Sequence, residues 1–175
     1  MQLADFQIQA LAKFHGMIKP FSYQRCNSYG YDMTLGRTFK RFVGKPDVID
    51  VNNIKETDFE EFLGDYAIIP PHSFVLGISV EYFKIPQNII AICLGRSSYS
   101  RVGIIPHITP LESGWSGFVT IEISNVGTLP CKVYANKGIS QVIFFESEHY
   151  PWQDYTAKGG RYNNQQGVTI TKGVG

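Results

Sequence analysis

The residues best suited to chemistry are Gly95-Arg96-Ser97-Ser98-Tyr99-Ser100-Arg101. They follow the apolar run Ile89–Leu94 and would open a short helix. Two hydroxyls at a helix start, flanked by two guanidinium groups, make a cradle for an anion. Free backbone N–H groups, the positive end of the helix dipole and bidentate Arg donors all act in the same direction. The plainer alternative is a Ser N-cap beside two solvated arginines. The chain carries sixteen Lys plus Arg against fifteen Asp plus Glu, a net +1, so no global field attracts nucleic acid or an anionic membrane. Charge concentrated at one strand-to-helix turn points instead to a nucleotide or phosphate ester.

A second constellation lies in Trp115–Asn125. Val119, Ile121 and Ile123 alternate with Thr120, Glu122 and Ser124, which predicts a strand with one apolar and one polar face. Glu122 is either a surface carboxylate or, if that face lines a cleft, a general base whose pKa burial has raised. Glu112, just before a turn, either accepts a hydrogen bond from a sugar hydroxyl or simply starts the turn. His15, His72, His107 and His149 are isolated, with no His, Cys or Asp partner at zinc spacing. The HxE…PCxxC zinc-deaminase signature, the GxxxxGK[ST] phosphate loop and the GxSxG elbow are all absent. His107 reads as structural or steric.

The elements that must position these groups follow from length and pattern. With 175 residues, 43% apolar, 18% charged and 14% aromatic, the chain has the size and composition of one folded domain, 1–175. Leu3, Phe6, Ala10, Leu11 and Phe14 recur at helical spacing with Gly16 as a C-terminal cap, predicting an amphipathic helix over 3–15. Beyond it, Gly and Pro punctuate the chain every 8–12 residues. Short apolar runs at 74–78, 89–94 and 141–145 lie between them, the rhythm of an all-β sandwich or jelly-roll-like barrel. Cys26, Cys93 and Cys131 are sparse and unpaired, as in a reducing compartment. No apolar run reaches 18 residues and the N-terminus has no signal-peptide pattern, so the expected location is cytoplasmic. The polar, glycine-rich stretch 158–167 is either a frayed terminus or a flexible lid, spanning about 150–175, whose Tyr155, Arg161 and Gln165 order over a ligand.

Several segments together resemble the bacterial dCTP deaminases of the dUTPase superfamily. They are Ser28-Tyr29-Gly30-Tyr31-Asp32, Pro70–Gly77, Val80-Glu81-Tyr82-Phe83, Ile92–Arg101, Gly114-Trp115-Ser116-Gly117 and Val119–Glu122. Tyr134-Ala135-Asn136, Gln141–Ser147 and Arg161-Tyr162-Asn163-Asn164-Gln165 extend the likeness over nearly the whole chain. The Arg-Ser-Ser-x-x-Arg block, followed by a Glu 21 residues after its last Arg, is its most specific part.

The resemblance implies a distorted jelly-roll-like β-barrel with an N-terminal helix and a short helix after the Arg-Ser-Ser motif. It implies a homotrimer with active sites at subunit interfaces, a C-terminal segment closing over nucleotide, and hydrolysis of dCTP to dUTP and ammonia without zinc. Glu122 would be the general acid/base, Ser97 would position the attacking water, and Arg101 would polarise the site. Arg96, Ser97 and Ser98, within the block that Tyr99, Ser100 and Arg101 complete, would hold the triphosphate with Mg²⁺. Thr120 and Ile121 would frame the base through their backbone. Gln141, Tyr155, Arg161 and Gln165 would meet phosphates and order the tail. dTTP would compete for the same pocket as an inhibitor.

Glu112 stands where many relatives have Asp, Arg161 where several have Lys, and the segment between Phe21 and Ser28 is short. Pro110 with Ser113-Gly114 mixes two subgroup patterns. These departures leave open a deaminase for a 5-substituted dCTP or for dCMP. A bifunctional enzyme carrying dCTP through to dUMP and a non-catalytic nucleotide sensor are the other readings. The glycine-rich C-terminal motif of dUTP pyrophosphatases is absent from 156–175.

Overall fold

A computed structural model describes residues 1–174. A helix, α1 (Asp5–His15), precedes eleven strands. These are β1 (Ile18–Lys19), β2 (Cys26–Asn27), β3 (Gly30–Phe42), β4 (Phe59–Leu63), β5 (Tyr66–Ile69) and β6 (Ser73–Lys84), then β7 (Ile89–Gly95), β8 (Ile104–His107), β9 (Ser116–Asn125), β10 (Cys131–Tyr134) and β11 (Gly138–Glu146). The one-turn helix α2 (Ser97–Ser100) joins β7 to β8.

The main sheet runs β7-β11-β3-β6-β9-β8, with β1 on β6 and both β2 and β4 on β3, while β5 and β10 form a separate pair. Every strand pairing is antiparallel. The sheet curls until its end strands approach at a seam, where Gly95 lies so close to Pro106 that a Cβ would sit 3.1 Å from the proline ring. The expected jelly-roll-like barrel with its two helices is therefore present.

The curvature has a local cause. The β6–β9 register shifts between Ile78 and Tyr82, leaving backbone donors of the neighbouring strands to be met by side chains. Ser79 Oγ accepts from Val119 N at 2.8 Å and donates to Glu81 O at 2.6 Å. The Glu81 carboxylate accepts from Thr34 N at 2.9 Å, Thr34 Oγ at 2.6 Å and Tyr31 OH at 3.3 Å. Around this polar knot the interior is packed by Met33, Leu35 and Phe39 of β3, Phe83 of β6, Ile121 and Ile123 of β9, and Phe144 of β11.

The expected helix is present, but its buried face differs. Ile8 and Ala12 are buried with Leu11 packed beside them, whereas Phe6 and Phe14 are 69% and 72% exposed and Ala10 is exposed too. Phe6 and Ile8 are two residues, about 200°, apart around the helix, so only one of their stripes can face the barrel. Leu3 reaches the core from before the first turn, which made the Phe6 stripe look continuous in sequence. Gly16 takes the left-handed conformation at φ 66° and its N–H caps Leu11 O, as its position predicted.

Candidate active site

β9 supplies the centre. Its residues alternate in burial, Val119, Ile121 and Ile123 pointing into the barrel, and Thr120 and Glu122 facing a cavity of about 1140 Å³. The cavity runs between the outer face of β6 and β9, the segment 108–115 and the C-terminal tail. Glu122 lies opposite Leu76 of β6 and His107 of β8. Partial burial raises its carboxyl above the ordinary carboxylate range, with its own backbone amide and His107 pulling the other way. His107 thus gains a neighbour that the sequence could not show, because the pairing depends on the β8–β9 register.

The tail follows β9 and forms one wall. Gln165 bridges Gly117 in parallel, and its carbonyl accepts from Phe118 N at 2.9 Å. Thr120 Oγ donates to Gln165 Oε1 at 3.0 Å and accepts from Thr169 N at 3.0 Å. Trp115 Nε1 donates to Tyr162 O at 2.7 Å, and Ser116 N to Asn163 Oδ1 at 2.9 Å. Just past the polar stretch, Val168 and Ile170 bury themselves against Leu76, Ile54, Phe59 and Phe74. Tyr155 N donates to Ser113 O, and Tyr155 OH accepts from Tyr162 N at 3.0 Å. The Tyr155 ring passes so close to Gly160 that any Cβ there would overlap it.

Of the residues singled out in the sequence, Glu112, Thr120, Glu122, Tyr155 and Gln165 line this one cavity. Ile121 sends its side chain into the core and is not among the residues lining the cavity. Gln141 lies on β11, opposite Asp32 and Leu94, and Arg161 turns to the tail's own end, donating to Gly173 O at 3.0 Å. None of residues 96–101 is among those lining the cavity. Arg96 instead caps α2 and pairs with Asp32 at 2.9 Å, while Ser97, Ser98, Ser100 and Arg101 are exposed and Tyr99 is half-buried. The strand-to-helix turn is as expected, but within one chain it stands apart from Glu122.

Sequence reasoning missed the apolar wall of Ile54, Phe59, Phe74 and Leu76, whose residues come from three separate segments with no shared motif. It also missed the anchor of the tail's first turn. There the Asp154 carboxylate, held below the ordinary range by backbone amides and Gln87, accepts from Gln87 Nε2 and Ala157 N, both at 2.8 Å.

A barrel closed at a seam, with a carboxylate on an outward strand face and a C-terminal segment laid beside it, defines the class of fold, and comparison places the chain within it. Residues 2–147 match the family described as dCTP deaminase-like, and the chain belongs to that family. It is 44% identical to a dCTP deaminase of Acidithiobacillus ferrooxidans and to one of Herpetosiphon aurantiacus, each alignment covering 97% of both chains. It is 43% identical to a dCTP deaminase of Chlamydia felis, over 95% of this chain and 96% of the other. Among solved structures, the 2′-deoxycytidine 5′-triphosphate deaminase of Agrobacterium tumefaciens shares the fold, with a TM-score of 0.68 at 20% identity. That alignment covers 83% of this chain and 48% of the longer protein. The sequence resemblance is thereby confirmed. No helix among the described residues is long and apolar enough to cross a membrane.

Proposed function

We propose that this protein hydrolyses dCTP to dUTP and ammonia at the cavity beside Glu122, a reading supported by relatives that carry the name dCTP deaminase. The observation that carries the reading is a half-buried carboxylate with a raised pKa, facing a nucleotide-sized cavity, in a chain of this family. Water adds at cytosine C4. Glu122 takes one proton as the C4–O bond forms and passes it to N3, then takes the second from the C4 hydroxyl and passes it to the amine as the C4–N bond breaks, C4=O forms and ammonia leaves. A carboxylate tuned upward suits both halves, because it takes a proton from water more readily than an ordinary Glu and keeps it until the next acceptor is in place. Ser97 orients the water and Arg101 polarises the reacting centre. Thr120 and Ile121 frame the base through their backbone.

Because 96–101 do not line the cavity of their own chain, the reading takes Ser97 and Arg101 from a neighbouring copy in a homotrimer. The exposed apolar side chains Leu94, Val102 and Ile105 around the block support this, since packing between copies would cover them. Arg96, Ser98, Tyr99 and Ser100 would then face the triphosphate, with Gln141, Tyr155, Arg161 and Gln165 completing the enclosure as the tail closes. Among the described residues no three His, Cys, Asp or Glu side chains are grouped for a metal, so Mg²⁺ would be held mainly by the triphosphate. Mg²⁺ would offset phosphate charge there. dTTP would bind the same pocket as an inhibitor. The reaction belongs in the cytoplasm, where dUTP feeds dUMP and dTMP synthesis.

Product analysis by ion-pair chromatography after incubation with dCTP and Mg²⁺ tests the proposal. dUTP with stoichiometric ammonia is expected. dUMP with pyrophosphate would replace it with a two-step reaction, and unchanged dCTP would overturn it.

A further inference from the structure

Helix α1 turns outward a face that one barrel leaves uncovered. Ile8 and Ala12 mark its buried side, while Phe6, Ala10 and Phe14 follow one another four residues apart on the other side. Both rings are largely exposed, and Ala10 and Lys13 are exposed with them. Two phenylalanines held open to water on one helix face form a patch that association would cover. The neighbouring row, Asp5, Gln9 and Lys13, carries an acid at its start and a base at its end. Asp5 Oδ1 accepts from Phe6 N at 2.7 Å and Lys13 Nζ lies 5.2 Å from the Phe14 ring centre. Among the described residues neither charge has an ion-pair partner.

These rows fit a second copy of themselves. Rows of residues four apart are the ridges through which helices most often pack. The apolar row reads the same in both directions. Set antiparallel across a two-fold axis, Phe6 meets Phe14 of the second copy and Ala10 meets Ala10, whose small side chain lets the helices approach. The charged row is reversed by the same axis, so Asp5 of each copy meets Lys13 of the other. The row centres, Ala10 and Gln9, are one residue or about 1.5 Å apart along the helix, so one axis serves both rows. A parallel pair would instead set Lys13 beside Lys13 and Asp5 beside Asp5. A three-fold ring joins two different surfaces of neighbouring copies, whereas this face is complementary to itself and joins assemblies in pairs. No residue of α1 lines the cavity.

We propose that the outer face of α1 is a self-association surface on which a second copy of this chain docks its own α1 antiparallel, Phe6 on Phe14 and Asp5 on Lys13. It does not rest on the deaminase reading, and it joins two trimers where the copies are already trimeric. Four rings cover less than a standard interface, so the association depends on concentration. The test is mass by light scattering after size exclusion, at rising concentration. The wild-type mass should climb to twice that of a Phe6→Glu, Phe14→Glu double variant. Asp5→Lys or Lys13→Asp alone should weaken association about three- to tenfold, and the two together should restore it. Ala10→Cys, mildly oxidised, should give a two-chain band on a non-reducing gel that wild type, with its own Cys26, Cys93 and Cys131, does not. A wild-type mass equal to that of the double variant at every concentration overturns the proposal and leaves the face to a different partner or to none. A mass that falls without rescue by the charge exchange and without the two-chain band places a different contact there, and overturns it too. Should the double variant melt below wild type, Ala10→Arg blocks the same approach from an exposed position. Turnover of dCTP, read in parallel, should be unchanged in every variant, so failure of this proposal and failure of the deaminase reading are told apart.

Discussion

Two glutamates on neighbouring strands meet the same force and do different things with it. Glu81 on β6 is 2% exposed and Glu122 on β9 is half-buried, and burial raises both carboxyls above the ordinary range. Glu81 accepts three hydrogen bonds from Thr34 and Tyr31, so its lone pairs are committed to holding the β3–β6 bend. Glu122 meets its own backbone amide and the charge of His107, and otherwise faces the cavity. A raised pKa alone therefore does not mark a catalytic acid. What separates the two is the unspent hydrogen-bonding capacity on the side where a substrate can arrive.

The strongest test of that contrast is exchange of each side chain. Glu122→Gln should lower kcat by about 10²–10⁴-fold while leaving the melting temperature and nucleotide binding near wild type. Loss of folding in parallel with activity would make Glu122 a second structural glutamate. Glu81→Ala should do the reverse. It strands Thr34 N–H, Thr34 Oγ and Tyr31 OH in the interior, a cost of about 3 kcal/mol read by urea denaturation. What remains folded should turn over with little change in kcat.

The tail sharpens the comparison because it touches only one of the two sites. Truncation after Tyr150 removes Gln165 and Thr169 from Thr120, and Val168 and Ile170 from the wall around Leu76. Nucleotide affinity should fall by about thirtyfold, equivalent to two lost ligand hydrogen bonds at about 1 kcal/mol each, with the oligomer preserved. Affinity that survives truncation would remove the tail from the binding site. The acid limb of the kcat–pH profile should also shift. In the full chain, activity declines as pH falls through the raised Glu122 pKa, because the base must be ionised. Loss of the tail rehydrates the carboxylate, so the limb should move to lower pH.

How much of this could be read in the sequence depended on periodicity. The alternation Val119-Thr120-Ile121-Glu122-Ile123 placed Glu122 on the polar face of a strand, because the period of two is set by the pleat itself. Gly95–Arg101 was legible as a strand-to-helix turn for the same local reason. The helix face was misread because Leu3 and Phe6 look like one stripe until the helix start at Asp5 separates them. Glu81 and the docking of Val168 and Ile170 were illegible. Each depends on a register shift or a cluster joining residues about 40 to 120 positions apart, and no local pattern encodes such pairings.

The smallest expected effect is the most direct measure of what burial does to Glu81. Its folded-state pKa lies above the unfolded value, so protonation favours the native state. That stability is fully present below the unfolded pKa and is lost as pH rises through the folded one. Glu81→Gln keeps the shape and does not titrate, so subtracting its stability from wild type at each pH isolates the Glu81 proton. The wild-type advantage should grow on acidification from neutrality into the carboxylate range. A flat difference would mean that the three donors cancel the desolvation. The same subtraction for Glu122→Gln should slope in the same direction but less steeply, since partial exposure gives water a share in stabilising its charge. Equal slopes would show that the cavity floor is as dry as the barrel interior.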